Sequence, residues 1–194
     1  MVILRSPFAS SQAQQLRFGS VLLRAPSLSD YEEWVELRSQ SRSFLTPWEP
    51  QWAANEFSKF SFRARIKHYN QMMKNDVGYP FFVFHYTQGH LLGAITANNV
   101  RRGVAQMCSV GYWIGAPYAR QGFMRQALNG LIVHAFENLS LHRVEAACLP
   151  SNAASIALLR GCGFSHEGMA RKYLKIAGNW EDHLLFARLA ESAI

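Results

Sequence analysis

Residues 111–138 read GYWIGAPYARQGFMRQALNGLIVHAFEN, and this stretch decides the fold. A strand over Gly111–Ile114 leads into a tight loop, Gly115–Gln121, and then into a long amphipathic helix. From Met124 the apolar residues return at Leu128, Leu131, Ile132, Ala135 and Phe136, the 3.6-residue spacing of a helix with one face in a core. The loop delivers Arg120, Gln121 and Gly122 to the first helical turn, where backbone N–H groups have no intrahelical acceptor. Those donors, the helix dipole and an arginine make an anion site suited to a phosphate or pyrophosphate. Gly122 permits close approach to the backbone and tolerates positive φ. A strand, a turn with one glycine and a helix are also ordinary wiring of an α/β protein, so the loop alone is a weak signal.

Its neighbours in sequence add to it. A strand over His142–Leu149 follows, then a second helix that opens at Ser151-Asn152-Ala153-Ala154-Ser155 and closes at Gly161-Cys162-Gly163-Phe164. This order resembles the acyl-CoA-binding half of the GNAT N-acetyltransferases, whose loop fingerprint is Gln/Arg-x-x-Gly-x-Gly/Ala. Here Ala119 stands at the first fingerprint position, Gly122 at the central one and Met124 at the last, so only the central glycine agrees. Phe44-Leu45-Thr46-Pro47-Trp48-Glu49-Pro50, Asn152-x-x-Ser155 and Gly163-Phe164-x-x-Glu167-Gly168 together resemble the ribosomal-protein N-terminal acetyltransferases of the RimJ/RimL type. The resemblance runs from about Leu16 to Leu189. It implies an α/β fold of GNAT type in a single domain over residues 16–194. The central sheet would be mixed and mostly antiparallel, flanked by helices, with two splayed central strands forming the acetyl-CoA site.

Composition bounds the reading. The 194 residues suit one domain with a full core, and 49% hydrophobic against 17% charged residues mark a globular chain. Met1-Val2-Ile3-Leu4 is too short an apolar run for a signal peptide, and no stretch approaches the length of a membrane span. Cys108, Cys148 and Cys162 show no C-x-x-C spacing and read as small core residues of a reduced, cytoplasmic protein. The net charge of +7 has three candidate causes: a polyanionic cofactor, an RNA or ribosomal surface, or solubility. The cations are dispersed and no RNA-binding fingerprint appears, so nucleic acid is not the primary expectation.

Residues 1–15 lack periodicity and read as a flexible start. Val21–Arg24 is a first strand, and Ser29 or Asp30 caps a helix with Tyr31, Trp34, Val35 and Leu37 or Arg38 inward. Its acids, Asp30, Glu32, Glu33 and Glu36, read either as a solvated face complementing the dipole or as a rim attracting a cationic amine. Pro47 and Pro50 exclude a helix interior, which sets Phe44, Leu45 and Trp48 on an irregular connection. Phe57–Met73 is a basic amphipathic helix with Phe57, Phe60, Ala64, Tyr69 and Met72 or Met73 on one broad face. Strands over Gly78–Tyr86, Leu91–Asn98 and Ala105–Ile114 are joined by hairpin turns. After the βαβα unit come Arg171–Ile176, a turn, and Asp182–Leu189.

The resemblance assigns roles. Backbone N–H groups of Arg120, Gln121, Gly122, Phe123 and Met124 would hold the cofactor phosphates, with Arg120 and Arg125 adding charge. The strand Tyr112–Ile114 would pair with pantetheine and supply an oxyanion donor near Trp113 or Ile114. Asn152 would contact pantetheine, and Ser155 would donate to the leaving sulfur. Phe44, Leu45 and Trp48 would wall the acceptor, with Glu49 or the acids near Asp30 drawing its charge. Glu167, acting through water, is the candidate base, with Glu145 in reserve. From the residues themselves, Ser151 and Asn152 are equally good N-caps, and both glutamates read equally well as structural acids. The histidines show no ligand spacing with carboxylates or cysteines, so no metal is expected.

An α-amine titrates at about 7.7–8.0 and is roughly one-third neutral near pH 7.5, whereas a lysine at about 10.4 is neutral only to ~0.1%. A site without an evident strong base therefore favours a protein N-terminus, with a ribosomal protein as the implied partner and ribosome association a further expectation. Two other readings fit the same residues: an acetyltransferase of a small amine such as an amino acid or antibiotic, and a non-catalytic ribosome- or RNA-associated module on the same fold. Monomer and homodimer stay equally open.

Overall fold

In the computed structural model residues 15–190 are described. The flexible start expected for residues 1–15 lies outside them except for Gln15, which opens a strand. Eight strands form one sheet: β1 (Gln15–Phe18), β2 (Val21–Arg24), β3 (Gly78–His85), β4 (Leu91–Arg101), β5 (Met107–Ile114), β6 (Arg143–Cys148), β7 (Ser165–Ile176) and β8 (Asn179–Leu189), in the order β1-β2-β3-β4-β5-β6-β8-β7. Every neighbouring pair is antiparallel except β5–β6.

Helices cover both faces. On one side, α4 (Phe123–Val133) and α5 (Ala153–Gly161) bury Met124, Ala127, Leu128, Leu131, Ile132 and Leu159 against Val83, Ile95, Val110, Val144 and Phe186. On the other, α1 (Tyr31–Gln40) and α3 (Lys59–Lys74) pack Trp34, Leu37, Phe62 and Ile66 on Phe82, Phe84, Leu91 and Ala94. Covered on both faces, β3 reads as the near-continuous apolar run GYPFFVFH. Its Pro80 precedes the residues Phe82–His85 that pair with β2, so the missing N–H breaks no ladder on that side.

Several elements differ from the sequence expectation, among them β1, which that expectation omits, and β7, which begins at Ser165 and not at Arg171. The buried face of α3 is Phe62 and Ile66, with Tyr69 half-buried, while Phe60 is 78% exposed and Ala64 faces solvent. Ser58 caps α3 by accepting from the Ser61 N–H at 3.1 Å, and this start turns Phe60 outward. The segment around Phe44 is not irregular: α2 (Arg42–Leu45) runs into a 3-10 turn over Thr46–Trp48. Pro47 sits in the first turn of that 3-10 segment, where a missing N–H is harmless. Lastly, α4 ends at Val133 and the chain continues as a wider π turn, His134–Asn138, with Leu139 N–H donating to His134 C=O at 3.0 Å.

Candidate active site

The central feature is where β5 and β6 part. They pair only at Met107↔Arg143, Cys108↔Val144 and Ser109↔Glu145, and beyond these residues the two strands diverge. The free edge of β5 can be read from its ladder to β4. Gly93 faces Ile114 in register and Gly115 N–H donates to Leu92 C=O at 2.8 Å, which makes Gly93/Ile114 a non-hydrogen-bonded pair. Alternation then turns the N–H and C=O groups of Tyr112 and Ile114 into the cleft and those of Trp113 toward β4. Of the two oxyanion donors expected from sequence, Ile114 is the one whose amide faces the opening.

Gly115 lets the chain leave β5 beneath α1, since a Cβ there would meet Leu37 Cδ1 at 2.3 Å. The Ser41 hydroxyl, buried at the end of α1, accepts from Ala116 N–H at 2.9 Å and fixes the start of the loop. Arg120 takes φ 62° and Gly122 φ 81°, a succession of left-handed residues that aims the backbone at the helix start. Gly122 is the N-cap of α4, and its carbonyl accepts the first helical bond from Gln126 N–H at 3.2 Å. The N–H groups of Phe123, Met124 and Arg125 thus lie ahead of the first intrahelical bond, without helical acceptors. A Cβ at Gly122 would meet nothing within 4 Å, so the space above these donors is open. Arg120 is exposed beside it, and the Gln121 side chain closes the loop by donating to Pro117 C=O at 2.8 Å.

Across the cleft stands the start of α5. Asn152 is its N-cap, with Oδ1 accepting from Ser155 N–H at 3.0 Å. That bond is the capping role a helix start requires, and it leaves the Asn152 amide nitrogen without a hydrogen bond among the described residues. The Ser155 hydroxyl lies 2.7 Å from the Tyr112 hydroxyl. The strand and helix are 43 residues apart in sequence, so this pair exists only in the folded chain. Burial pushes the Tyr112 phenol well above its ordinary range, against a smaller opposing effect of the Ser155 hydrogen bond. Tyr112 therefore stays protonated throughout the physiological range. The sequence reading used only the backbone of Tyr112; alternation along β5 was the signal that its side chain shares a face with α5.

On the opposite face of the sheet, Phe44 and Trp48 are 40% and 37% exposed, while Leu45 is buried and supports the wall from behind. The wall is held by Arg38, buried in α1. Its guanidinium donates to both Glu49 carboxylate oxygens at 2.7 and 2.8 Å and lies over the rings of Trp52 and Trp113, 4.2 and 4.9 Å from their centroids. Glu49 also accepts from Trp52 Nε1 at 2.7 Å, and its carbonyl accepts from Ala177 N–H at 2.9 Å in the β7–β8 turn. These contacts close the segment after α2 onto the hairpin.

Residues 20–165 match the family described as acetyltransferase (GNAT) domain. The chain belongs to this family. It is 32% identical over 174 residues to the probable N-acetyltransferase YjcK of Bacillus subtilis, covering 90% of this chain and 96% of that one. Identity to the ribosomal protein uS5-alanine N-acetyltransferase of Escherichia coli K12 is 31% over 179 residues, 91% and 92% of the two chains. Mycobacterium smegmatis RimJ in complex with CoA-disulfide superposes with a TM-score of 0.85 at 30% identity, covering 93% of this chain and 88% of that one.

The carboxylates of this GNAT domain are differently employed from the sequence expectation. Glu167 is exposed and paired with Arg143 through both oxygens, one at 2.9 Å, and that pairing holds its carboxyl below the usual range. A depressed pKa makes a weaker base, and with both oxygens on Arg143 the Glu167 carboxylate is poorly suited to accept a proton. Glu145, in reserve, accepts from the same arginine at 2.8 Å. Of the expected acidic rim, Glu32 and Glu36 stay exposed, Glu32 beside the exposed Lys59 at 3.0 Å and Glu36 accepting from Gln40 at 3.3 Å, and the other acids are engaged. Asp30 is buried and takes both Arg24 nitrogens, at 2.9 and 2.5 Å, Glu33 accepts from Leu91 N–H, and Glu49 is held by Arg38. Short-range partners claim each of these acids, and residue type alone does not reveal that. The three cysteines are buried, with the Cys108 thiol pushed up to about 12 by burial, and are unsuited to nucleophilic work.

Proposed function

We propose that this chain transfers the acetyl group of acetyl-CoA to the N-terminal α-amine of a protein, and that the acceptor is a ribosomal protein. The observation that carries the reading is the parting of β5 and β6. It leaves the Ile114 amide on the open edge of β5 and the Tyr112–Ser155 hydroxyl pair spanning from β5 to α5, with the open first turn of α4 at the mouth.

The residues fit acetyl-CoA. The N–H groups of Phe123, Met124 and Arg125, the open position above Gly122 and the charge of Arg120 suit a pyrophosphate. The free N–H and C=O groups of Tyr112 and Ile114 suit the amides of a pantetheine arm, and so does the Asn152 amide nitrogen. When bound, acetyl-CoA supplies an acetyl thioester. The Ile114 N–H, which faces away from β4, would donate to a carbonyl oxygen as charge develops on it. Ser155, or Tyr112 through Ser155, would be the group that holds a proton for a leaving sulfur.

Both carboxylates named from sequence as candidate bases, Glu167 and Glu145, are engaged by Arg143, which favours an acceptor that needs little help. Near pH 7.5 an α-amine supplies roughly a third of its molecules in neutral form, and water takes the remaining proton. Phe44 and Trp48 would line the path of the first acceptor residues. The relatives at about 30% identity, one named for ribosomal protein uS5, support the choice of acceptor. With such a partner the protein works in the cytoplasm.

The test uses paired peptides, one with a free N-terminus and no lysine, the other N-terminally blocked with an internal lysine. Mass spectrometry of protein N-termini from cells with and without the gene then names the natural acceptor. Acetylation of the blocked peptide alone, or of small amines in place of either peptide, overturns the assignment.

A further inference from the structure

The outer face of α3 has a charge pattern that acetyl transfer does not use. Its 16 residues, KFSFRARIKHYNQMMK, hold Lys59, Arg63, Arg65, Lys67 and Lys74 and no acid. Two of these cations are neutralised: Lys59 lies 3.0 Å from Glu32, and Arg65 lies 2.6 Å from Glu56. Arg63, Lys67 and Lys74 are exposed and have no ion pair among the described residues. At about 100° per residue they fall within roughly 40° of arc, and the first and last are separated by about 16 Å along the axis. They line a groove with Leu28, Ile66, Asn70 and Gln71, and no carboxylate lines it.

Three unpaired cations in a row, at about one helical turn or two apart, repel one another and gain most from a ligand whose negative charges repeat along a line. We infer that this face docks the phosphodiester backbone of RNA. The choice of RNA over other polyanions rests on the ribosomal-protein reading above, since an acceptor on a ribosome is surrounded by it. An anionic membrane fits less well. A surface-bound helix buries an apolar face in the lipid, and the apolar face of α3, Phe62 and Ile66, is already spent on the sheet. Between Arg63 and Lys74 the exposed positions are Arg63, Ala64, Lys67, His68, Asn70, Gln71 and Lys74. Asn70 and Gln71 supply neutral donors between the charges. No base-reading element is evident, so the contact is to the backbone and insensitive to sequence.

The experiment is fluorescence anisotropy of the full chain with a labelled 20-nucleotide oligouridine, at potassium chloride from 50 to 200 mM. Each neutralised phosphate contributes about 0.7 to the slope of log affinity against log salt for a single strand. Three contacts give a slope of about −2, or roughly a 16-fold loss over that range. The triple variant Arg63→Gln, Lys67→Gln, Lys74→Gln should lose that slope. A control with Lys172→Gln and Lys175→Gln on β7 should keep it. Acetylation of a free peptide should be the same in all three proteins. RNA affinity unchanged in the triple variant, equal loss in the β7 control, or wild-type protein that binds anionic phospholipid vesicles and not RNA overturns the inference. The two readings fail separately. Peptide acetylation without salt-dependent RNA binding sinks the docking face alone, and RNA binding without acetylation of any N-terminus sinks the catalytic reading alone.

Discussion

If the Tyr112–Ser155 pair supplies the proton for the leaving sulfur, removing either hydroxyl should damage turnover more than stability. Tyr112→Phe keeps the ring in the core and deletes one end of a 2.7 Å hydrogen bond. The net loss of a single such bond is about 0.5–1.5 kcal/mol, which for a chain of this length lowers the melting temperature by about 1–6 °C. A general acid is worth about 100-fold to 10,000-fold in rate, and a serine hydroxyl, a poor acid, belongs at the low end. Ser155→Ala should therefore reduce kcat about 100-fold with little change in KM for acetyl-CoA. Tyr112→Phe should give a similar loss if the tyrosine proton is relayed, and the double variant should be no worse than the poorer single one. The assay is steady-state kinetics on a peptide with a free N-terminus, with melting curves on the same samples. Because burial raises the Tyr112 phenol above its usual value of about 10, the pair stays protonated as pH rises and kcat should show no alkaline limb below about pH 9. Turnover within about twofold of wild type in both single variants, with melting lowered by those few degrees, would refute the catalytic assignment and leave a structural pair.

Three other perturbations have definite outcomes. Gly122→Asp forces a side chain onto φ 81°, costing about 1–3 kcal/mol, and adds about 0.3–1 kcal/mol of wrong-sign charge at a helix N-terminus. Calorimetry should show severely weakened acetyl-CoA binding, and unchanged affinity would remove α4 from the site. Glu167→Gln should leave kcat and its pH profile intact. The Glu167 carboxyl is lowered in the fold, so its contribution to stability is present above the unfolded value of about 4.3 and is lost as pH falls through the folded one. The variant should accordingly show a flatter melting-temperature curve below about pH 4, measured by scanning calorimetry. On α3, Phe62→Ala should cost about 3–5 kcal/mol in chemical denaturation, while Phe60→Ala should stay within about 0.5 kcal/mol.

The sheet, the α4 loop and the cap at Asn152 were legible because each is written locally: alternation in the strands, a glycine before an amphipathic run, an N-cap residue three before Ser155. The face of α3 was not, since PheSerPhe at its start offers two aromatic residues on different sides and only the Ser58 cap and the sheet beneath choose Phe62. The strand β1 was missed because its four residues, QLRF, carry a half-buried edge with little apolar signal. The π turn after Val133 keeps Ala135 buried while shifting the helical phase, so the apolar spacing runs on unbroken through it. In the site, the Tyr112–Ser155 and Arg38–Glu49 pairs join residues from separate elements, and their partners are fixed by topology. Charge type alone made Glu167 and Glu49 look available. Their arginines, Arg143 and Arg38, are what remove them.

The parting of β5 from β6 also has a mechanical side. Each of the other ladders is joined by four to eight register pairs, whereas three pairs link the first five strands to the last three. Each half also carries its own helix, α4 against β1, β2, β4 and β5, and α5 against β6. The sheet is thus two leaves on a short spine, bridged on one face by the contact of α4 with α5 and the core they share. Widening the gap between the leaves costs few backbone hydrogen bonds, and the groups that separate are those proposed to flank the acetyl-CoA thioester. Amide protons of Met107–Ser109 and Arg143–Glu145 should exchange ahead of those in the interior of β3 and β4, and a molecule held between the leaves should slow that exchange by binding both at once.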